Sequence, residues 1–282
     1  MRRTVVSLLA LLMAGCLVFS CTSFVFNGEE KVRGMNFDFT RDVELSLHFT
    51  DEGEVDAFYM AFNRYAVTFG VNTAGVFTTL QGIDDRSSRE YESEHYSFPE
   101  AFLTCLTNYG NVSDFRQFVE DKNVVFPSMM FVHMLASDSQ GNGFILELSE
   151  AGNEITQMQG ERFVMTNFPV HRFAGKKHGD VEGSGADRYK NTYEALNGIE
   201  QIEDYQEGFD ILGVSRTEYT GFSAIFFPER DCVYFSFNGN FKKVWKLDLE
   251  NRTIKTEKGF ESEREITLSA EGITRAALLE WE

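Results

Sequence analysis

Hydrophobic and polar positions alternate in short runs along most of the chain after its first twenty residues. Runs of four to eight residues with this alternation, rich in β-branched and aromatic side chains, are typical of antiparallel strands joined by hairpins. The pattern predicts strands at residues 22–26, 32–39, 45–49, 57–69, 75–80, 129–137, 143–148, 154–157, 162–166, 223–227, 232–237 and 244–249. Beyond residue 250 the sequence is highly charged and gives no clear element.

Helix signals interrupt these strand blocks at three places. Ser97 precedes Phe-Pro-Glu and is placed to cap a helix through Leu106, with proline in the first turn. Two more helices are predicted from Ser113 to Asp121 and over residues 186–196. Strand blocks separated by helices indicate an α+β or layered sandwich fold rather than a doubly wound sheet. Because no linker rich in proline, glycine or serine divides the chain, a single domain over residues 21–282 is expected.

The first twenty residues differ in character from the rest. Arg2 and Arg3 are followed by an almost wholly apolar stretch over residues 5–19, which is the pattern of a secretory signal peptide. We therefore predict an exported protein, periplasmic or extracellular. Residues 12–16, Leu-Met-Ala-Gly-Cys, also resemble a bacterial lipobox, and lipidation of Cys16 would tether the protein to a membrane. That route would leave the amine of Cys21 in a peptide bond unless a second cleavage followed.

Charge and motif content exclude several kinds of function. Against 44 acidic residues the chain has 26 Lys and Arg, a formal net charge of −18, which disfavours nucleic acid as a partner. The five histidines are scattered without the spacing of a zinc site, and P-loop, dinucleotide and Gly-x-Ser-x-Gly patterns are missing. Neither a metal nor an organic cofactor is predicted, and His133 is interpreted as a core histidine with satisfied hydrogen bonds.

Among the cysteines, Cys21 has a distinctive position. Cys105 and Cys232 lie in apolar runs and are predicted to be small buried side chains. Cleavage of the leader after Ser20 would make Cys21 the N-terminal residue. Its α-amine, with an ordinary pKa of about 7.7 to 8.0, could then accept the proton of its own thiol near neutral pH. One residue would supply both nucleophile and base.

The sequence around Cys21 resembles a known superfamily. Cys-Thr-Ser-Phe at residues 21–24, a turn at 27–28 and Gly-Met-Asn-Phe-Asp at 34–38 are similar to the opening of the choloylglycine hydrolase, penicillin V acylase and acid-ceramidase-like superfamily, which are N-terminal-nucleophile amidases. Further similar stretches follow in the same order at residues 70–75, 133–147, 164–168, 188–189 and 222–237. The resemblance implies two antiparallel sheets packed between helical layers.

The resemblance also implies roles for five residues. Cys21 would be the nucleophile, and Asp38 would hydrogen-bond to its amine or thiol. Asn167 would stabilise the oxyanion with its side-chain amide, a second donor would lie near Gln81, and Arg188 would lie beside the nucleophile. From the residues alone, Asp38 could also be a turn or edge-strand carboxylate, Asn167 a turn residue before Phe168 and Pro169, and Arg188 a solvated helix residue.

One position departs from the superfamily pattern. Met35 stands where many relatives have an arginine between the glycine and asparagine of the second strand. Arg33 lies two residues earlier and therefore on the same face of that strand.

The implied activity is hydrolysis of a linear non-peptide amide of a small molecule through an acyl-thioester. The 28 phenylalanines favour an apolar acyl group. A surface lipoprotein with a degenerate amidase fold that only binds a ligand or partner is the alternative, and acyl transfer to an amine is a third. The sequence gives no oligomeric state.

Overall fold

The computed structural model describes residues 20–39, 43–63, 66–83, 95–125, 131–149 and 152–281. The predicted leader lies outside the described residues except for Ser20, and so does Cys16.

The described residues form eighteen strands, most of them in two large sheets. In chain order they are β1 (Thr22–Asn27), β2 (Lys31–Asp38), β3 (Leu45–Thr50), β4 (Ala57–Phe62), β5 (Ala66–Asn72), β6 (Phe77–Gly82), β7 (Tyr96–Ser97), β8 (Val124–Val125), β9 (Val132–Ser137), β10 (Gly143–Ser149), β11 (Gly152–Gln157), β12 (Arg162–Met165), β13 (Thr220–Phe227), β14 (Cys232–Phe237), β15 (Val244–Asp248), β16 (Thr253–Lys258), β17 (Glu265–Thr267) and β18 (Ile273–Thr274).

Helices occupy the intervals between the strand blocks. They are α1 (Phe98–Asn108), α2 (Val112–Glu120), α3 (Ala186–Asn197), α4 (Tyr205–Gly213) and α5 (Arg275–Leu279), with short 3-10 turns at Val170–Phe173, His178–Asp180 and Pro228–Arg230. The predicted cap of α1 is present as a capping box, in which Ser97 and Glu100 each accept a backbone N–H of the other. The second helix begins one residue earlier than predicted, at Val112, with Asn111 as its cap.

Each large sheet has eight antiparallel strands. The first has the order β12-β1-β2-β13-β14-β15-β16-β17, and the second has the order β11-β10-β9-β6-β5-β4-β3-β18. One apolar cluster lies between the two sheets, a second lies between the second sheet and helices α1 and α2, and a third lies between the first sheet and helices α3 and α4. The predicted sandwich of two antiparallel sheets between helical layers is confirmed.

The side chains of Cys21 and of alternate residues in β1 lie between the two sheets. Cys21 and Val25 belong to the cluster between the sheets, whereas Phe24 and Phe26 belong to the cluster under α3 and α4. Side chains on a strand alternate between its two faces, so Cys21, Ser23 and Val25 all face the second sheet.

Three parts of the chain differ from the sequence prediction. The run predicted as one strand over residues 57–69 is two paired strands, β4 and β5, because the chain reverses after Asn63, whose φ of 49° is left-handed. Helix α4 was not predicted. The charged C-terminal stretch forms β16, β17, β18 and α5.

Candidate active site

Cys21 lies immediately before β1, fully buried between the sheets. Its thiol donates to the backbone carbonyl of Asp38, at a sulfur–oxygen distance of 4.0 Å. Burial and the negative charge of Asp38 raise the pKa of the Cys21 thiol to about 12, although Arg188 acts in the opposite direction. With Ser20 still attached, the sulfur is therefore a neutral thiol at physiological pH.

Arg188 on α3 binds the carbonyl of the Ser20–Cys21 peptide bond and that of the next peptide bond. Its Nη1 donates to the Ser20 carbonyl, to the Cys21 carbonyl at 2.6 Å and to Thr22 Oγ1 at 3.0 Å. Burial lowers the pKa of Arg188, while the charges of Asp38 and Cys21 oppose that change. The guanidinium thus places a positive charge beside the nucleophile candidate.

A glycine at the start of α3 makes room for this guanidinium. Gly185 has a φ of 78°, and a Cβ at this position would lie 2.5 Å from Arg188 Nη2. Both the backbone conformation and the close approach therefore require glycine here.

Asn167 follows β12 and joins Arg188 to the second sheet. Its Oδ1 accepts from Arg188 Nη2 at 2.6 Å, and its Nδ2 donates to the carbonyl of Gly82, the last residue of β6, at 2.6 Å. An asparagine amide carries two N–H groups. No second acceptor for this amide lies among the described residues, so one N–H is left for a ligand.

Asp38 ends β2 with its carboxylate bound to two threonines, Thr217 in the segment before β13 and Thr220 at the start of that strand. Thr220 donates to the carboxylate at 2.6 Å and Thr217 at 2.9 Å. Burial raises the pKa of Asp38 to about 6, and these hydroxyls and Arg188 hold it below the value that burial alone would give. The Cys21 thiol contacts the Asp38 backbone rather than this carboxylate, so the predicted hydrogen bond of the Cys21 amine or thiol to the carboxylate stays a prediction.

Gln81 is buried near the end of β6. Its Nε2 donates to Ser23 Oγ at 2.5 Å, and Ser23 lies two residues after Cys21 on the same face of the chain. Gln81 Oε1 is a buried oxygen with no hydrogen-bond partner among the described residues. The end of β6 thus borders the site through two contacts, Gln81 with Ser23 and Gly82 with Asn167.

Arg33 does not take the place of the arginine that Met35 replaces. Met35 is buried in the same apolar cluster as Cys21. The Arg33 guanidinium, also fully buried, donates at the far end of β1 and the turn after β9, to the Phe26, Val32 and Asp138 carbonyls and to Ser137 Oγ. Burial lowers the pKa of Arg33 to about 10. Of the two arginines, it is Arg188 that lies beside the candidate nucleophile, in contact with the Cys21 carbonyl.

The structure brings Cys21, Asp38, Asn167 and Arg188 into one connected cluster. Sequence reasoning missed Thr217 and Thr220, whose only role in the site is to hydrogen-bond a carboxylate that lies 179 and 182 residues earlier in the chain. No local pattern signals such a pairing. Cys105 and Cys232 are buried, as predicted, and both are free.

Across the described ranges, no helix combines the length and apolar character of a membrane span. Within the same ranges, no three His, Cys, Asp or Glu side chains are grouped as metal ligands would be.

Comparison with known proteins gives the fold a clear counterpart. No protein-family model matches the chain, and neither does any curated protein. Among solved structures, the penicillin V acylase from Agrobacterium tumefaciens matches with a TM-score of 0.63 at 17% identity, covering 81% of this chain and 91% of that one. The chain has the same fold.

Two structures of conjugated bile acid hydrolase from Clostridium perfringens share that fold. An arginine-to-leucine variant matches with a TM-score of 0.61 at 16% identity, over 88% of this chain and 98% of that one. A cysteine-to-alanine mutant matches with a TM-score of 0.60 at 15% identity, over 86% and 98%. The resemblance that the motifs indicate is therefore confirmed at the level of the fold.

Proposed function

We propose that the protein is an amide hydrolase that uses Cys21 as an N-terminal nucleophile on linear, non-peptide N-acyl amides. The observation that carries the proposal is the arrangement around the Ser20–Cys21 bond. A buried thiol lies beside an arginine that binds the Ser20 and Cys21 carbonyls. The same arginine donates to the side-chain oxygen of Asn167, whose amide keeps one N–H for a ligand. The names of the structural neighbours, an acylase and a conjugated bile acid hydrolase, support the same reaction class.

Removal of residues up to Ser20 supplies the missing base. The new α-amine of Cys21 accepts the thiol proton, and the sulfur attacks the carbonyl carbon of the amide. Asn167 donates its free N–H to the developing oxyanion, with a backbone N–H near Gln81 as the second donor. The C–N bond then breaks, and the leaving nitrogen takes the proton from the Cys21 ammonium.

Hydrolysis of the resulting acyl-thioester completes the cycle. Water attacks the thioester carbonyl and gives its proton to the Cys21 amine, so the acid leaves and the thiol is regenerated. Arg188 orients the Cys21 backbone and stabilises negative charge at sulfur. Asp38 keeps a negative charge close to the Cys21 ammonium that forms in each half-reaction.

We further propose that the protein is exported by its leader and matured by cleavage after Ser20. Mass spectrometry of the protein from its native host tests this directly. A mature chain that begins at Cys21 is expected. A diacylglyceryl Cys16 with residues 17–20 retained would contradict the mechanism and favour the ligand-binding lipoprotein.

The reaction itself is tested by trapping the intermediate. The mature protein is mixed with penicillin V, conjugated bile acids, N-acyl amino acids and acyl-homoserine lactones, quenched in acid and digested. We expect a peptide beginning at Cys21 with the mass of one acyl group added, which hydroxylamine removes. Product analysis with and without an added amine separates hydrolysis from acyl transfer.

The pH profile is expected to report both the Cys21 amine and Asp38. As the pH falls, the amine gains a proton and can no longer act as base, so log kcat/KM falls with a slope of 1. In the uncleaved chain burial raises the pKa of Asp38 to about 6, and the Cys21 ammonium of the mature chain lowers it from there, so the slope steepens to 2 only at a pH below 6, where the carboxyl becomes neutral. Asp38→Asn is expected to be slower and to keep a slope of 1. Asp38→Asn with the kcat/KM of the wild type across the whole profile would contradict the role given to Asp38.

A further inference from the structure

A buried histidine and a buried glutamate hold the segment that carries Asn167, residues 166–171. His133 on β9 and Glu147 on β10 are both fully buried in the second sheet. His133 Nε2 lies 2.6 Å from the Thr166 carbonyl oxygen, and Nδ1 lies 3.0 Å from Glu147 Oε1. Glu147 accepts the backbone N–H groups of Val170 and His171, both at 2.8 Å.

Hydrogen-bond accounting fixes the direction of these contacts. A carbonyl oxygen only accepts, so His133 Nε2 carries a proton and donates to Thr166. Burial would raise the pKa of Glu147, but hydrogen bonds from His133 and His171 hold it at about 2. Glu147 also accepts from His171 Nδ1 at 2.8 Å. The pair presents one donor to the segment before Asn167 and two acceptor oxygens to the segment after it.

His133 and Glu147 hydrogen-bond to backbone that lies beyond the pairing of β12 with β1. The pairing of β12 with β1 ends at Met165 opposite Ser23, so the backbone after Met165 is irregular. Asn167 lies in that irregular stretch. An apolar pair of the same size often gives a fold equal stability, so the specific contribution of this buried polar pair is its hydrogen bonds to the backbone around Asn167.

We propose that His133 and Glu147 are positioning residues, which fix the backbone on both sides of Asn167 and thereby aim its free amide N–H at the oxyanion. The inference rests on the proposed function. A displacement of about 1 Å in a catalytic group costs up to about 100-fold in rate, so the effect belongs in kcat rather than in KM. His133 hydrogen-bonds to the backbone before Asn167, and Glu147 hydrogen-bonds to the backbone after it.

Two substitutions of His133 separate positioning from packing. The glutamine nitrogen is as many bonds from Cβ as Nε2 of histidine, so His133→Gln keeps a donor for the Thr166 carbonyl. The asparagine nitrogen matches Nδ1, so His133→Asn keeps only the donor for Glu147. Against the panel substrate with the highest kcat/KM, we expect kcat to fall by less than about tenfold in His133→Gln and by about 10- to 100-fold in His133→Asn, with KM within about threefold in both.

The control is Thr78→Val, which removes a buried hydrogen bond to the Leu135 carbonyl in the same sheet. It is expected to lower the melting temperature as the His133 variants do and to leave kcat close to wild type. Equal kcat losses in the two His133 variants, or losses that follow the melting temperature, would overturn the inference.

A further variant keeps the inference testable if His133→Asn does not fold. Glu147→Gln keeps the side-chain size and removes the charge, and we expect a 10- to 100-fold lower kcat with little change in KM; an unchanged kcat would overturn the inference. Failure of the proposed function looks different, because the wild type would then form no acyl-thioester at all.

Discussion

Replacing Cys21 with alanine is expected to abolish amide hydrolysis while leaving the fold intact. Loss of the nucleophile removes the covalent step altogether, and a loss of about 10⁴-fold or more in kcat/KM is typical of such a change. The side chain loses one buried sulfur between the sheets, so the free energy of unfolding should fall by about 1 kcal/mol. Turnover kinetics, intermediate trapping and thermal unfolding of the mature protein measure the three expected results.

The chain offers matched controls for this experiment. Cys105 on α1 and Cys232 at the start of β14 are also free, buried thiols. Their alanine variants should lose comparable stability and keep turnover and thioester formation near the wild-type level. If Cys21→Ala turned over N-acyl amides as the wild type does, or if the acyl group were found on Cys105 or Cys232, the proposed mechanism would be wrong.

The sequence predicted correctly those elements that short-range interactions between neighbouring residues determine. The cap at Ser97 and the strands on either side of the turn after Asn27 follow from neighbouring residues, and they lie where they were predicted. Helix α4 was missed because Gly208 and Gly213 weaken a helical pattern. In the fold Gly208 serves packing: a Cβ there would lie 2.9 Å from Ile225 on β13. That reason depends on tertiary contact and cannot be read from a sequence window.

The C-terminal strands were missed for a related reason. In β16 a single residue, Ile254, is buried, and the others are polar and at least partly exposed. Pairing with β15 supplies the backbone hydrogen bonds that make this polar segment a strand. Alternation of apolar and polar residues reveals a strand only when one of its faces is apolar, and β16 has almost no apolar face.

For the candidate site too, the sequence indicated the residues but not all of their contacts. Cys21, Asp38, Asn167 and Arg188 could be proposed from the order of motifs, since each lies within a short stretch similar to the superfamily. The resemblance placed Asp38 and Arg188 beside Cys21, but the atoms that these residues contact depend on tertiary packing and could not be predicted. Arg188 is 167 residues from the Cys21 carbonyl that it binds. The Arg33 guanidinium hydrogen-bonds at the far end of β1 rather than beside Cys21. Side-chain packing, not the local sequence, determines this.

The second large effect is expected at Asn167. Asn167→Ala removes the amide that donates to the oxyanion, and loss of one such donor costs about 100- to 1,000-fold in kcat, or about 2.7 to 4 kcal/mol. KM should change little, because the donor acts on charge that develops only after attack by sulfur. Steady-state kinetics on the panel substrates measure both quantities. The thioester should still form in Asn167→Ala, but slowly.

Asn167→Asp tests whether the amide acts on the substrate or only on Arg188. An aspartate has the same size and still accepts from Arg188 Nη2, the contact that Asn167 Oδ1 makes at 2.6 Å. As a carboxylate, however, it has no N–H for the oxyanion or for the Gly82 carbonyl, and its charge repels a developing oxyanion. We therefore expect Asn167→Asp to lose at least as much kcat as Asn167→Ala. Near-wild-type turnover in Asn167→Asp would mean that Asn167 serves to hold the guanidinium, and the oxyanion donor would then have to be sought among the backbone N–H groups near Gln81.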